Sequence, residues 1–374
     1  MSADHLGYWR TGDPPGHRQF FVFESDNGFC FESGDTFASV TVAYETWGTL
    51  NATRTNAVLV EHALTGDSHV TGEAGLGHAT RGWWEGIVGA GLAIDSNEFY
   101  VVCANVLGGA QGSTGPSSLD ESGRPFGSKF PVTTIRDQVA VEVALADHLG
   151  IENWFAVVGG SMGGMRALEW AIGFPHRVSR LVVLAVGASS TADEIALSSL
   201  QVRAIRADVN FQGGDYYDTG VAPTQGLSIA RGLGQLTYRT GDEFESRFGR
   251  DSQKGEDPLL GGRYAVESYL EHHGEKLARR FDANSYVVLS EAMNHHDVGR
   301  GRGGIKVALG AILAATTVVG IGSDRLYPLA LQEQLVDHIV HARPLEVITS
   351  RVGHDGFLLE VDQISWLLRT ALKD

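Results

Sequence analysis

Two kinds of hydrophobic patterning divide the chain. In the first third, short apolar runs (HRQFFVF, FASVTVAYETWG, NAVLVEHAL) are separated by Gly, Asp and Asn, which predicts a β-rich start. From Asn97 the pattern changes. FYVVCANV, FAVVGG, RLVVLAVG and TTVVGIGS are continuous, valine-rich runs that alternate with helical stretches such as IRDQVAVEVALADHLG and MGGMRALEWAIGFP. Uninterrupted apolar strands with helices between them predict an α/β fold, with a mostly parallel sheet covered on both faces.

The alternation breaks once. Between Gly187 and Thr316 there is little strand character, and DEIALSSLQVRAIRAD, AVESYLEHHGEKLARRF and SYVVLSEAMNHH read as helices. This predicts a sheet domain made of residues 1–190 and 311–374, interrupted by a helical lid over 191–310. Two last units follow: TTVVGIGSD with a helix at LYPLALQEQLVDHIV, then PLEVITSRVGHDG with a closing helix at FLLEVDQISWLLRTALK.

Composition narrows the function classes. Of 374 residues, 43% are hydrophobic and 20% charged, as in ordinary globular proteins. No apolar run reaches the roughly 20 residues that a membrane helix needs. MSADHLGYWRTGDPPGHRQ has no basic region leading into an apolar core, so no signal peptide and a cytoplasmic location are expected. Two cysteines, Cys30 and Cys103, give neither a disulfide framework nor metal-ligand spacing; Cys103, inside EFYVVCANV, reads as a core residue, and no metal is expected. The net charge of −16 argues against a nucleic-acid partner and requires a local basic patch for any anionic ligand.

The chemistry begins at Val157–Trp170, VVGGSMGGMRALEW. Gly159-Gly160-Ser161-Met162-Gly163 fits G-x-S-x-G between a strand and a helix, the pattern of a nucleophile elbow. Glycine-rich strand–helix turns also bind phosphate, but a P-loop would need a Gly-Lys-Ser/Thr run, and this turn has no lysine. A serine nucleophile needs a base, and the base an orienting acid, in the chain order serine, acid, histidine. Asp324 directly follows TTVVGIGS and His354 follows PLEVIT, both at C-terminal strand ends, where open α/β sheets build their sites. His295 and His296 precede the acid and are expected to pack at the lid junction, and His341 is expected at the surface. One oxyanion donor is expected at the Met162 N–H. The loop His62-Ala63-Leu64-Thr65-Gly66 is similar to the H-G-x-x-G loop of hydrolases and places a second at the Leu64 N–H.

Taken together, VAYETWGTLN, HALTGDSHV, CANVLGGAQGSTGPSS, GGSMGGMRALEW, GLGQLTYRT, MNHHDVGRGRGG, GIGSDRLYP and GHDGFLLE resemble the homoserine O-acetyltransferases. The resemblance runs from about Thr41 to Glu360. It implies an α/β-hydrolase fold and a ping-pong acyl transfer in methionine biosynthesis. Ser161 would take an acetyl group from acetyl-CoA, and His354 would deprotonate the homoserine hydroxyl that accepts it. No permanent cofactor is implied. Arg231, an ordinary helix-surface arginine on residues alone, would hold the homoserine carboxylate, with Tyr238, Thr65 and Asp355 as further contacts and Asp355 facing the ammonium. The resemblance also implies a homodimer formed through the lid. Arg166 stands where the family more often has glutamine, and His295 or His296 where threonine is common; neither touches the three catalytic candidates. Arg203, Arg206, Arg279 and Arg280 are candidates for the CoA phosphates, though solvated helix faces explain them equally. A succinyl donor, serine as acceptor, and a small-ester hydrolase remain as alternatives on the same triad.

Overall fold

A computed structural model describes residues 7–373, so Asp374 and the first six residues of the expected core segment, where the leader question also falls, lie outside it. Eight strands form the main sheet: β1 (Gln19–Cys30), β2 (Thr36–Trp47), β3 (Ala57–Glu61), β4 (Tyr100–Ala104), β5 (Ala156–Gly160), β6 (Arg180–Leu184), β7 (Ala315–Ile321) and β8 (Glu346–Ile348). Their spatial order is β1-β2-β4-β3-β5-β6-β7-β8. β2 pairs antiparallel with both of its neighbours, and every pairing from β4 to β8 is parallel. This is the α/β architecture, with a mostly parallel sheet, that the strand pattern predicts.

The valine-rich strands are continuous because both of their faces are buried. Leu59, Val157 and Val183 enter one apolar cluster with Leu168 and Trp170, while Val58, Val158 and Val182 enter the other with Ile364 and Leu368. Helices α1 (Ile135–His148) and α2 (Met162–Gly173) follow β4 and β5. Thr134 begins α1 with a capping box in which its side chain and Asp137 satisfy each other's backbone N–H groups. Cys103 is buried, as expected of a core residue, and Cys30 is exposed.

After β6 the chain leaves the sheet and forms α3 (Ala192–Arg206), α4 (Thr224–Tyr238), α5 (Gly241–Phe248), α6 (Ala265–Ala278), α7 (Ala283–Asn294) and α8 (Ile305–Gly310) before β7. α9 (Leu329–His338), the short α10 (Gly356–Leu359) and α11 (Val361–Lys373) complete it. The single closing helix expected from FLLEVDQISWLLRTALK is broken at Glu360, whose φ of −85° and ψ of 58° leave the helical region. His296 is buried at the seam between insertion and sheet, its Nε2 3.2 Å from the Gly187 carbonyl, and His341 is exposed. Among the described residues no helix is long and apolar enough to cross a membrane.

Candidate active site

Ser161 sits between β5 and α2 with φ 55° and ψ −125°, a conformation that costs a non-glycine residue of order 1–3 kcal/mol. Two glycines make the turn sterically possible. A Cβ on Gly159 would run into the backbone of Gly163, and one on Gly163 into the carbonyl of Glu61 on the neighbouring strand. The Ser161 N–H donates to the Leu184 carbonyl at 3.0 Å, which fixes the turn to β6. Met162 opens α2, so its N–H has no acceptor within the helix. Leu64, from the loop after β3, lines the same small cavity as Ser161.

Asp324 and His354 come from loops after β7 and β8. His354 Nδ1 lies 2.7 Å from Asp324 Oδ2, and Asp324 Oδ1 accepts the N–H groups of Leu326 and Tyr327 at 2.8 and 2.9 Å. Gly353, at φ 71°, donates its N–H to Ser323 Oγ at 3.2 Å and so ties one loop to the other. Burial works against a charged His354, but the charge and hydrogen bond of Asp324 outweigh it, and the imidazole is held above its ordinary value of 6.5. Three aromatic rings enclose that imidazole: Tyr327 stacks on it at 5.1 Å, Phe357 meets it edge-on at 5.4 Å and Tyr238 lies at 5.8 Å. Tyr327 also lines the cavity that Ser161 opens into, a placement invisible in sequence except that Tyr327 closes the turn begun by Asp324. Ser161, Asp324 and His354 are all more than nine-tenths buried. Tyr327 stacks on the imidazole and lines a cavity with Ser161, and a strained, buried hydroxyl joined in this way to a carboxylate-oriented imidazole is an arrangement that can pass a proton and form an acyl-serine.

The family described as alpha/beta hydrolase fold matches residues 56–361. A homoserine O-acetyltransferase of Thermobifida fusca (strain YX) is 57% identical over 98% of this chain and 96% of its own length. The chain belongs to the homoserine O-acetyltransferase family. Among solved structures, a homoserine O-acetyltransferase from Bacillus anthracis superposes with a TM-score of 0.87 at 26% identity, covering 96% of this chain and 97% of that one. The crystal structure of esterase E22 superposes with a TM-score of 0.85 at 28% identity, covering 95% and 100%.

Of the contacts that family resemblance implies, Arg231 lies on α4 with its guanidinium 5.5 Å from the Tyr238 ring centroid. Asp355 follows His354 but is already paired, its carboxylate 3.0 Å from Arg239 Nε. Thr65 offers its carbonyl to Arg280 at 2.9 Å, so Arg280 braces the loop that carries Leu64. Arg206 is paired with Glu291 and Arg279 with Glu275, while Arg203 is exposed.

Arg166 has a role that sequence did not reveal. It is fully buried beneath the elbow, with Nη1 2.7 Å from both Glu61 and Glu142 and Nη2 donating to the His62 carbonyl at 2.7 Å. Trp170 Nε1 donates to the second oxygen of Glu142 at 2.9 Å. One guanidinium thus joins the helix after Ser161 to the strand end that leads into the Leu64 loop. Burial pushes the Glu61 carboxyl well above the usual carboxylate range; Arg166 opposes this and Glu142 adds to it. The signal was the arginine itself, in a helix with no other charge before Glu169.

Among the described residues, one group of ligand-type side chains gathers away from Ser161: Glu45, His69 and His78. The two imidazoles stack nearly parallel at 3.8 Å, and His78 Nε2 accepts the His17 N–H at 3.0 Å. Glu45 also accepts from Ser68 at 2.8 Å and from His69 at 3.0 Å. These contacts bind the loop after β3 to β2 and to the segment before β1.

Two predictions follow from this geometry. Arg166→Met leaves two buried carboxylates facing each other, and the expected loss of stability is about 3–5 kcal/mol; an unchanged urea midpoint would show that the network does not hold the elbow. In a pH titration followed by NMR, the His354 imidazole is expected to lose its proton above 6.5. Asp324→Asn removes the group that raises it and leaves burial dominant, so the midpoint should fall; a midpoint that stays put sinks the assignment.

Proposed function

We propose that this protein transfers an acetyl group from acetyl-CoA to the side-chain hydroxyl of L-homoserine through an acyl-serine, as a cytoplasmic step of methionine biosynthesis. The observation that carries the proposal is the 2.7 Å Asp324–His354 pair together with the strained Ser161, in a chain 57% identical to a homoserine O-acetyltransferase. The Ser161 hydroxyl attacks the thioester carbonyl while His354 Nε2 takes its proton. The tetrahedral oxyanion is stabilised by the Met162 and Leu64 N–H groups, each such donor being worth about 100–1,000-fold in rate. The C–S bond then breaks, and the CoA thiolate leaves with the proton from His354. In the second half His354 takes the proton of the homoserine hydroxyl, whose oxygen attacks the acetyl-serine, and returns it to Ser161 as the ester is released.

Arg231 would receive the homoserine carboxylate, for which a guanidinium fork is well suited. Asp355 would share its carboxylate between Arg239 and the ammonium group, and Tyr238 and Thr65 would complete the acceptor site. Residues 191–310 would act as a lid over the sheet. Water must be kept from an acyl-serine that waits for an alcohol, and the burial of Ser161, 6% exposed, supports that reading. The lid carries exposed apolar side chains, among them Val209, Ile229 and Leu236, which a second copy of the chain would cover in a homodimer. Acetyl-CoA is a co-substrate rather than a resident cofactor.

Thiol release from acetyl-CoA, with and without L-homoserine, tests the mechanism. The wild type is expected to give a sub-stoichiometric burst alone and sustained turnover with homoserine, and Ser161→Ala to be silent. Fast release indifferent to homoserine would make water the acceptor and the protein an esterase. Sedimentation at micromolar concentration is expected to give a dimer that Ile229→Asp weakens; a monomer throughout would remove the lid-mediated pairing.

A further inference from the structure

The cavity at Ser161 contains a carboxyl group that the mechanism above does not use. Glu194 is the third residue of α3, and one of its oxygens, Oε2, accepts the Thr191 N–H at 2.6 Å in a capping box. Such a box needs one carboxylate oxygen and is commonly found at a solvated helix start. Here the residue is 7% exposed, its second oxygen is buried with no hydrogen-bond partner, and it lines the same cavity as Ser161. Leaving a charged acceptor buried and unmatched is costly to the fold, so helix capping alone does not account for it.

The rest of the lining sharpens the point. Leu64, Leu197, Met293 and Leu326 supply apolar walls, the other lining residues carry hydroxyl or amide groups, and none is Arg, Lys or His. The free volume is about 50 Å³. An acetyl group on Ser161 would bring a carbonyl, directed to the Met162 and Leu64 amides, and a single methyl to place against these walls. A succinyl group would add two methylenes and a carboxylate to the same space, facing Glu194 with no Arg or Lys in the lining; the cationic group that acts on Glu194 is the His354 imidazole, which lies outside the lining. Burial is the main cause that pushes the Glu194 carboxyl up to about 7, so above that pH the cavity holds a full negative charge.

We propose that Glu194 sets the acyl-donor specificity of this site, accepting an acetyl group and rejecting acyl groups that end in a carboxylate; this rests on the acyl-serine reading of Ser161. Glu194 is a specificity-determining residue, and its effect is electrostatic and steric exclusion rather than a part in the chemistry.

The test compares kcat/KM for acetyl-CoA and succinyl-CoA at saturating L-homoserine, at about pH 8.5, where the Glu194 carboxyl is ionised. The variants are Glu194→Gln, whose amide oxygen can still accept the Thr191 N–H, and Glu194→Met, which keeps the length without any charge. The succinyl-to-acetyl ratio is expected to rise about tenfold or more in both, since removing one like-charge contact across a buried cavity is worth at least about one pK unit. A merely structural role would lower both donors together and leave the ratio where it was, and that result overturns the proposal. So does a change confined to the KM for homoserine, which would place Glu194 on the acceptor instead. If the wild type fails to turn over acetyl-CoA at all, the acyl-serine reading itself has failed, an outcome visible before any variant is measured.

Discussion

The backbone at Ser161 must be held at φ 55° against its own preference, and much of the surrounding structure supplies that restraint. Gly159 and Gly163 let β5, α2 and β3 approach closely enough to form the turn, and the Ser161 N–H is anchored to β6. Neither feature resists a pull on α2 itself. Arg166 does, because its guanidinium grips the end of β3 and α1 at once, through the His62 carbonyl, Glu61 and Glu142. The positive group sits one turn past the elbow, so a shift of α2 would break three charge-assisted contacts together.

That network has to be close to neutral to be stable where it is. One guanidinium between two carboxylates leaves an excess negative charge in a region without water. The upward push on the Glu61 carboxyl acts in that direction, since burial favours its neutral form while Arg166 opposes it. The same logic does not apply at Asp324 and His354, where three groups meet a single carboxylate in hydrogen bonds and the imidazole can take up a proton. The elbow is therefore supported by a buried network of one guanidinium and two carboxyls, and the Asp324–His354 pair stands apart from it on different strands.

Much of this was legible in the chain. Continuous valine-rich strands gave the parallel sheet because burial on both faces leaves no reason for alternation, and Asp324 and His354 were found because loops at strand ends are short and their positions follow from the strands. What stayed hidden depended on side chains meeting from distant segments. Arg166 was visible as an unusual residue, but its partners Glu61 and Glu142 lie more than a hundred and more than twenty residues away in sequence, on different elements. The Asp355–Arg239 pair joins a core loop to the end of α4, and nothing in either segment signals the other. Glu194 looked like any glutamate at a helix start, since the capping box explains it completely until its second oxygen is seen to have no partner.

The strong superposition of both an acetyltransferase and an esterase on this chain means that the sheet, the elbow and the lid outline do not by themselves separate transfer from hydrolysis. The distinction must lie in what reaches the acyl-serine. The proposed acceptor contacts, Arg231 and Tyr238, lie on α4, an element of the insertion, and Tyr238 also packs against His354. Gly353, immediately before that histidine, sits so close to the Tyr238 carbonyl that a side chain there would collide with it. The end of α4 is thus seated directly on the loop that orients the imidazole. An amino acid bound by α4 is held in fixed relation to the base that must take its proton, whereas water gains no such placement. If α4 binds the acceptor as proposed, the insertion would favour transfer by positioning it as well as by shielding the serine, and both effects would arise from one contact between α4 and the His354 loop.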